Sequence, residues 1–195
     1  IGGDSIRYQN VTIQNEKITS PQVRLEDTVM IHGILNLIDG IVGTSADDLL
    51  VLSHTAAANG GSEHSYVEGP LKKIGNAAFT FPIGKKSNYQ PLSIEAPSNI
   101  VDAFTAEFYN QDPGLSYNTD SRDDSLYNIS GSEYWRLEKS SGTSNVKATI
   151  GWNSNSDCVY NLDSIRVAAW NGSQWQNYGN HSTTGTPSEG TITSD

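Results

Sequence analysis

The chain has 195 residues and a formal net charge of −10, an acidity that repels phosphate backbones and argues against a nucleic-acid partner. Only 35% of its residues are hydrophobic and 17% charged, with Ser, Thr, Asn and Gly filling the difference, which argues against long helices and for short strands joined by many turns. No run of 18 apolar residues and no basic amphipathic segment occurs, so no stretch is expected to span or lie on a membrane.

The chain opens on Ile1-Gly-Gly-Asp4, with neither an initiating Met nor a signal-peptide pattern, and is read as an excised piece of a longer protein. From Asp4 to Ala58 short apolar clusters recur: Val11 and Ile13, Val23 and Leu25, Val29 and Ile31, Ile34 to Leu37, Ile41 and Val42, Leu49 to Leu52. Gly33, Asp39-Gly40, Gly43 and Asn59-Gly60-Gly61 punctuate them as turns. Clusters this short suit the coils of a β-solenoid, where each coil buries a few inward side chains and stacks on the next; half of a β-sandwich with short strands is the alternative. Asp47 to Leu52 carries a weak helix-start signal, but the Gly-rich stretch after it favours a strand.

The stretch from Ser65 to Ile94 is a junction. Tyr66 to Leu71 is expected to be the last solenoid coil and Phe79 to Ile83 the first strand of a second unit. Phe79 and Phe81 then point one way to close the solenoid's open end, with Gly84 as a turn in which positive φ is allowed. All four Trp follow the junction. Phe104–Tyr109, Tyr134–Glu138, Val146–Trp152, Cys158–Tyr160, Ile165–Trp170 and Gln174–Tyr178 read as strands, with Asn171-Gly172 at the tip of a hairpin between Trp170 and Trp175. The expectation is an all-β chain: a β-solenoid-like unit over residues 1–75 packed on a β-sandwich over residues 76–195.

Cys158 is the only cysteine, so an internal disulfide is impossible, and it is expected to be a small buried hydrophobe on a strand. His32, His54, His64 and His181 have no metal-type partner at helical spacing, and there is no Gly-x-Ser-x-Gly elbow, so no catalytic residues are assigned. An acidic loop offers Asp112, Asn118, Asp120, Asp123 and Asp124 as oxygen ligands for Ca²⁺, because that ion takes carboxylate, amide and backbone oxygens; a solvated loop with Arg122 as counter-charge is the alternative. Trp170, Trp175 and Tyr178, with Tyr134, are candidates for stacking on sugar rings, although the two Trp most economically pack across their own hairpin.

Several phrases occur in a set order: Tyr66-Val-Glu-Gly-Pro-Leu71, Phe81-Pro-Ile-Gly-Lys85, Tyr89-Gln-Pro-Leu92, Glu133-Tyr-Trp-Arg-Leu137 and Trp170-Asn-Gly-Ser-Gln-Trp175. From about residue 35 onward this order resembles large secreted and surface proteins of Bacteroidetes exported by the type IX route. The resemblance implies an extracellular or cell-surface location and a role in adhesion, display or spacing, with no catalytic motif to transfer. The expected function is a non-catalytic structural or adhesive module whose partners are other copies, neighbouring domains or extracellular polysaccharide; the alternative is a carbohydrate-binding module of a secreted enzyme. Glycosylation in that phylum resembles attachment at Asp-Ser/Thr before an aliphatic residue, which makes Ser5, Thr28, Ser125 and Ser164 candidate sites. Asn10, Asn128, Asn171 and Asn180 also head Asn-x-Ser/Thr triplets.

Overall fold

The short apolar clusters of the first third of the chain become the rungs of three parallel ladders. The computed structural model describes residues 6–17 and 20–195, and the chain is all-β. One coil holds β1 (Ile6–Tyr8), β2 (Val11–Gln14) and β3 (Val23–Arg24); the next holds β4 (Val29–Ile31), β5 (Ile34–Asp39) and β6 (Val42–Gly43). A third holds β7 (Leu50–Leu52), β8 (Ala57–Gly60) and β9 (Val67–Glu68), and β10 (Leu71–Ile74) begins a fourth. The ladders are β1-β4-β7-β10, β2-β5-β8 and β3-β6-β9, all parallel.

The rungs stack in register: Ile6, Val29, Leu50 and Leu71 form one column, and Tyr8, Ile31, Leu52 and Lys73 another. A repeat of about 21 residues therefore separates Val29 from Leu50 and Leu50 from Leu71. Ile31, Leu35, Leu37, Val42, Leu50, Leu52, Val67 and Leu71 are buried within the coils. Each such aliphatic contributes roughly 1.5–3 kcal/mol of burial, so a coil with a few of them holds only when its neighbours cover it. On the outer face Asn36 donates Nδ2–H to Thr12 Oγ1 at 3.3 Å, and Asn59 donates to Asn36 Oδ1 at 3.3 Å, a polar ladder that repeats the backbone register.

The solenoid runs further than the junction phrases imply. Val67 donates its N–H to Pro82 O at 2.9 Å and pairs in parallel with Ile83, so Phe79 to Ile83 continue the fourth coil. The same segment, as β11 (Phe79–Phe81), pairs antiparallel with β14 (Leu92–Ile94) after the hairpin of β12 (Gly84–Lys85) and β13 (Asn88–Tyr89). Phe79 and Phe81 do share a side, buried and edge-to-face with centroids 4.9 Å apart. The positive φ values fall on Lys86 and Ser87 of the hairpin instead of Gly84. Gly84 is required by space: a Cβ there would lie 2.6 Å from Asn88 O and 2.9 Å from the Tyr66 ring.

Antiparallel strands follow. β15 (Ala103–Tyr109) pairs with β10, and β16 (Tyr134–Ser141) lies beside β15. By packing, the chain divides into one unit of residues up to 108 with 135–146 and a second of 109–134 with 147–195. The first unit passes residue 75 because β10, a solenoid rung on one edge, is an antiparallel partner on the other.

Two buried charges belong to the first unit. Lys73 is 3% exposed at the end of the Ile31–Leu52 column, and its Nζ donates to Ser53 O at 2.6 Å, Ala56 O at 2.7 Å and His54 O at 3.4 Å. It also lies 5.5 Å from the centre of the Phe79 ring. Asp102 is fully buried; its carboxylate accepts from Asn99 N at 3.1 Å, Thr143 N at 3.1 Å and the Ser144 hydroxyl. Gly142 has φ +87°, and a Cβ there would run into that carboxylate, so the β16 end and the 99–102 turn are fitted to each other.

The second unit contains β17 (Ala148–Trp152), the hairpin of β18 (Ala168–Trp170) and β19 (Trp175–Asn177), and the antiparallel β20 (Ser182–Thr186) and β21 (Glu189–Thr193), with β17 paired to β21. Its core is Trp152, Val167 and Ile192, joined by Ile150, Val159, Leu162 and Ile165. The expected alternation of Ile150 and Trp152 is what places both there. Residues 153–167 form turns and irregular backbone instead of strands, so Cys158, expected to be buried on a strand, is exposed on that segment.

Candidate functional site

The second unit gathers most of the side chains with chemistry to offer. Its hairpin forms as the Asn-Gly signal predicts: Trp170 pairs with Trp175, Asn171 N–H donates to Gln174 O at 3.0 Å, and Gly172 takes φ +104°. The Asn171 side chain closes the tip by accepting from Ser173 N at 2.9 Å and Gln174 N at 2.9 Å. Trp170 and Trp175 meet across the strands with centroids 5.9 Å apart, and Tyr117 packs against both at 5.7 Å. Tyr117 also meets Tyr134 edge-on at 5.5 Å, and Tyr134 stacks flat on Tyr109 at 4.6 Å. The pair of Trp therefore forms one end of an aromatic cluster in which the rings fill one another's faces, and Trp175 is buried.

Tyr178 is not in that cluster. One position past β19, it is 46% exposed and borders a groove of about 1000 Å³ lined also by Arg166, Asp163, Asp195, His181 and Asn180. The sheet holds this rim in place: Tyr178 N–H donates to Val167 O at 2.8 Å, and Asp195 N–H donates to Tyr178 O at 2.8 Å. Asn177 Oδ1 accepts from Gly179 N at 2.8 Å, and Asn180 Oδ1 accepts from the Thr183 hydroxyl at 2.7 Å. Arg166 spends Nη1 on Asp163 O at 2.7 Å and Ile165 O at 2.6 Å.

The predicted calcium loop is distributed along its own turns. Asp112 Oδ1 caps the 3₁₀ turn Pro113–Leu115 by accepting from Gly114 N at 2.7 Å, and Asn118 Oδ1 accepts from Asp120 N at 3.0 Å. Asp120 lies 3.7 Å from Arg122 Nη1, with its side chain 98% exposed. Asp123 Oδ1 accepts from Ser125 N at 2.9 Å and from the Ser125 hydroxyl at 2.5 Å, bonds that hold its carboxyl below the usual carboxylate range. Asp124 is exposed. Among the described residues no three His, Cys, Asp or Glu side chains converge as a metal-holding group. His32, His54 and His64 belong to the solenoid unit, and only His181 lines the groove.

Of the four candidate glycosylation residues, Ser5 lies outside the described residues. Thr28 Oγ1 donates to Asp47 O at 3.2 Å, linking adjacent coils, and Ser164 Oγ donates to Asn161 O at 3.0 Å. The Ser125 hydroxyl also accepts from Asn177 Nδ2 at 2.8 Å, on the groove wall. The sequence singles out Tyr178 as an aromatic but not Arg166, Asp163 and Asp195, which share its groove through the bonds from Tyr178 N to Val167 O and from Asp195 N to Tyr178 O. No protein-family model matches the chain, and comparison with curated proteins and with solved structures returns no match.

Proposed function

We propose that this chain is a non-catalytic structural or adhesive module of a large bacterial surface or secreted protein, of the kind its Bacteroidetes-like phrases resemble. The observation that carries the reading is the stack of coils in which four rungs keep register through both side-chain columns. Such a stack resists bending because every coil is hydrogen-bonded along its length to the next, which is what a spacer or display arm requires. A net charge of −10 makes displayed copies repel one another. The second reading, a carbohydrate-binding module of a secreted enzyme, is favoured by one feature, the exposed Tyr178 ring beside a polar groove.

Protease shaving of intact producing cells, followed by immunodetection of this chain, tests the reading. Release of the chain from the cell surface, or its recovery from the medium, is expected. Protection inside the cytoplasm, or turnover of glycoside or ester substrates by the purified chain, overturns it.

A further inference from the structure

We propose that the groove beside Tyr178 binds a neutral saccharide, and that this is the adhesive contact of the module; the inference rests on the adhesive reading and deepens it. Three properties of the groove converge on that ligand. Tyr178 is an aromatic residue 46% exposed, on a backbone fixed by hydrogen bonds on both sides. A pyranose ring offers a face of C–H groups that stacks on such a surface, and the rigid platform loses little entropy on binding.

Several side-chain donors and acceptors in the same lining make no hydrogen bond among the described residues. Arg166 is anchored through Nη1 alone, so its Nε and Nη2 donors are unused among the described residues. The carboxylates of Asp163 and Asp195 and the imidazole of His181 likewise accept and donate nothing within the described chain. Each hydroxyl of a sugar is both donor and acceptor, so neighbouring hydroxyls suit a lining that offers both carboxylates and a guanidinium. The aromatic cluster at Trp170 and Trp175 offers no such rim, because its rings are occupied by one another.

Charge narrows the ligand class. Three carboxylates, Asp123, Asp163 and Asp195, line the groove with one arginine, in a chain whose net charge is −10. Uronic acids and sulfated sugars would be repelled, whereas neutral hexose polymers would not. The groove is open and polar, so single-site binding is weak, and repeated copies of the module would supply the strength by avidity.

The test is a glycan array carrying neutral glucans, mannans and galactans together with uronate and sulfated polymers, followed by titration of the full chain with the best oligosaccharide. The variants are Tyr178→Ala, Arg166→Ala and, as a control away from the groove lining, Tyr127→Ala, whose ring is 96% exposed. Expected are binding to a neutral oligosaccharide, a loss of roughly tenfold or more for Tyr178→Ala and Arg166→Ala, and no change for Tyr127→Ala. Arg166→Ala alters an exposed side chain and carries the test if Tyr178→Ala lowers the melting temperature. Silence of the folded chain on every neutral glycan, or preference for anionic polymers, overturns the saccharide. Binding that survives both groove variants overturns the site while leaving the adhesive reading in place, and that reading falls separately if the shaving experiment finds the chain in the cytoplasm.

Discussion

Lys73→Met is expected to destabilise the first unit by about 1–3 kcal/mol, the cost of losing a charge-assisted donor to three main-chain carbonyls, of which Ser53 O keeps the Ala56 N–H. The methionine keeps the length and apolar stem of lysine, so the change isolates the ammonium. Its partners, Ser53 O, His54 O and Ala56 O, are main-chain atoms that no compensating side chain replaces. Lys73→Ala should cost more, because a cavity opens at the end of the Ile31–Leu52 column. Burial pushes the Lys73 ammonium down to about 8, below its unfolded value. Between pH 8 and about 10 the unfolded chain therefore binds the proton that the folded chain has lost, and wild-type stability rises with pH across that window. Above it Tyr66 and Tyr89, both pushed up by burial, ionise first in the unfolded chain and reverse the trend. Urea melts from pH 7 to 10 should show the rise in wild type and its absence in Lys73→Met; equal slopes would remove the lysine from the account.

Asp102→Ala should lower the melting temperature of the same unit by roughly 5 °C or more, through three stranded donors at Asn99 N, Thr143 N and Ser144 Oγ. Asp102→Asn should rescue little, since its amide turns one acceptor into a donor facing donors. The Ser144 hydroxyl, followed by the Asn99 and Thr143 amides, holds the Asp102 carboxyl below the usual carboxylate range. A depressed carboxylate stabilises the fold above its unfolded value near pH 3.9, and that contribution is lost as pH falls through the lower folded value. Thermal melts at pH 7, 5, 4 and 3 should show a shallower acid slope for Asp102→Ala than for wild type. A variant with the wild-type slope would contradict the role assigned to this carboxylate.

The solenoid was legible because each coil leaves two or three apolar residues between turn glycines, a pattern neither helix nor long strand produces. The coil count was not, because β3, β6 and β9 are two residues each and the loops between rungs vary, so Ile6-to-Val29 spacing differs from Val29-to-Leu50. Lysine is by type a surface residue, yet period-two alternation in Leu71-Lys-Lys-Ile74 puts Lys73 on the side of Leu71. Cys158 was misread because a short apolar run in the 153–167 segment resembles a strand, while the segment packs Val159, Leu162 and Ile165 on the Trp152 core through turns. The hairpin at Asn171-Gly172 was legible from two residues, since its turn chemistry is local. The groove was not, because its rim joins Arg166, Tyr178 and Asp195 across strand pairings that sequence spacing does not encode.

Coils stacked in register are the central feature of the fold, and paired cysteines measure that stacking directly. In a Cys158→Ser background, Asn36→Cys with Asn59→Cys joins facing positions of β5 and β8, where neighbouring strands lie roughly 4.8 Å apart and within disulfide reach. Thr12→Cys with Asn59→Cys spans two rungs, about 9.6 Å, beyond that reach. Mild oxidation should link the first pair nearly completely within the monomer and leave the second free; failure of the first pair to link, or equal linking of the second, would contradict the stacked solenoid.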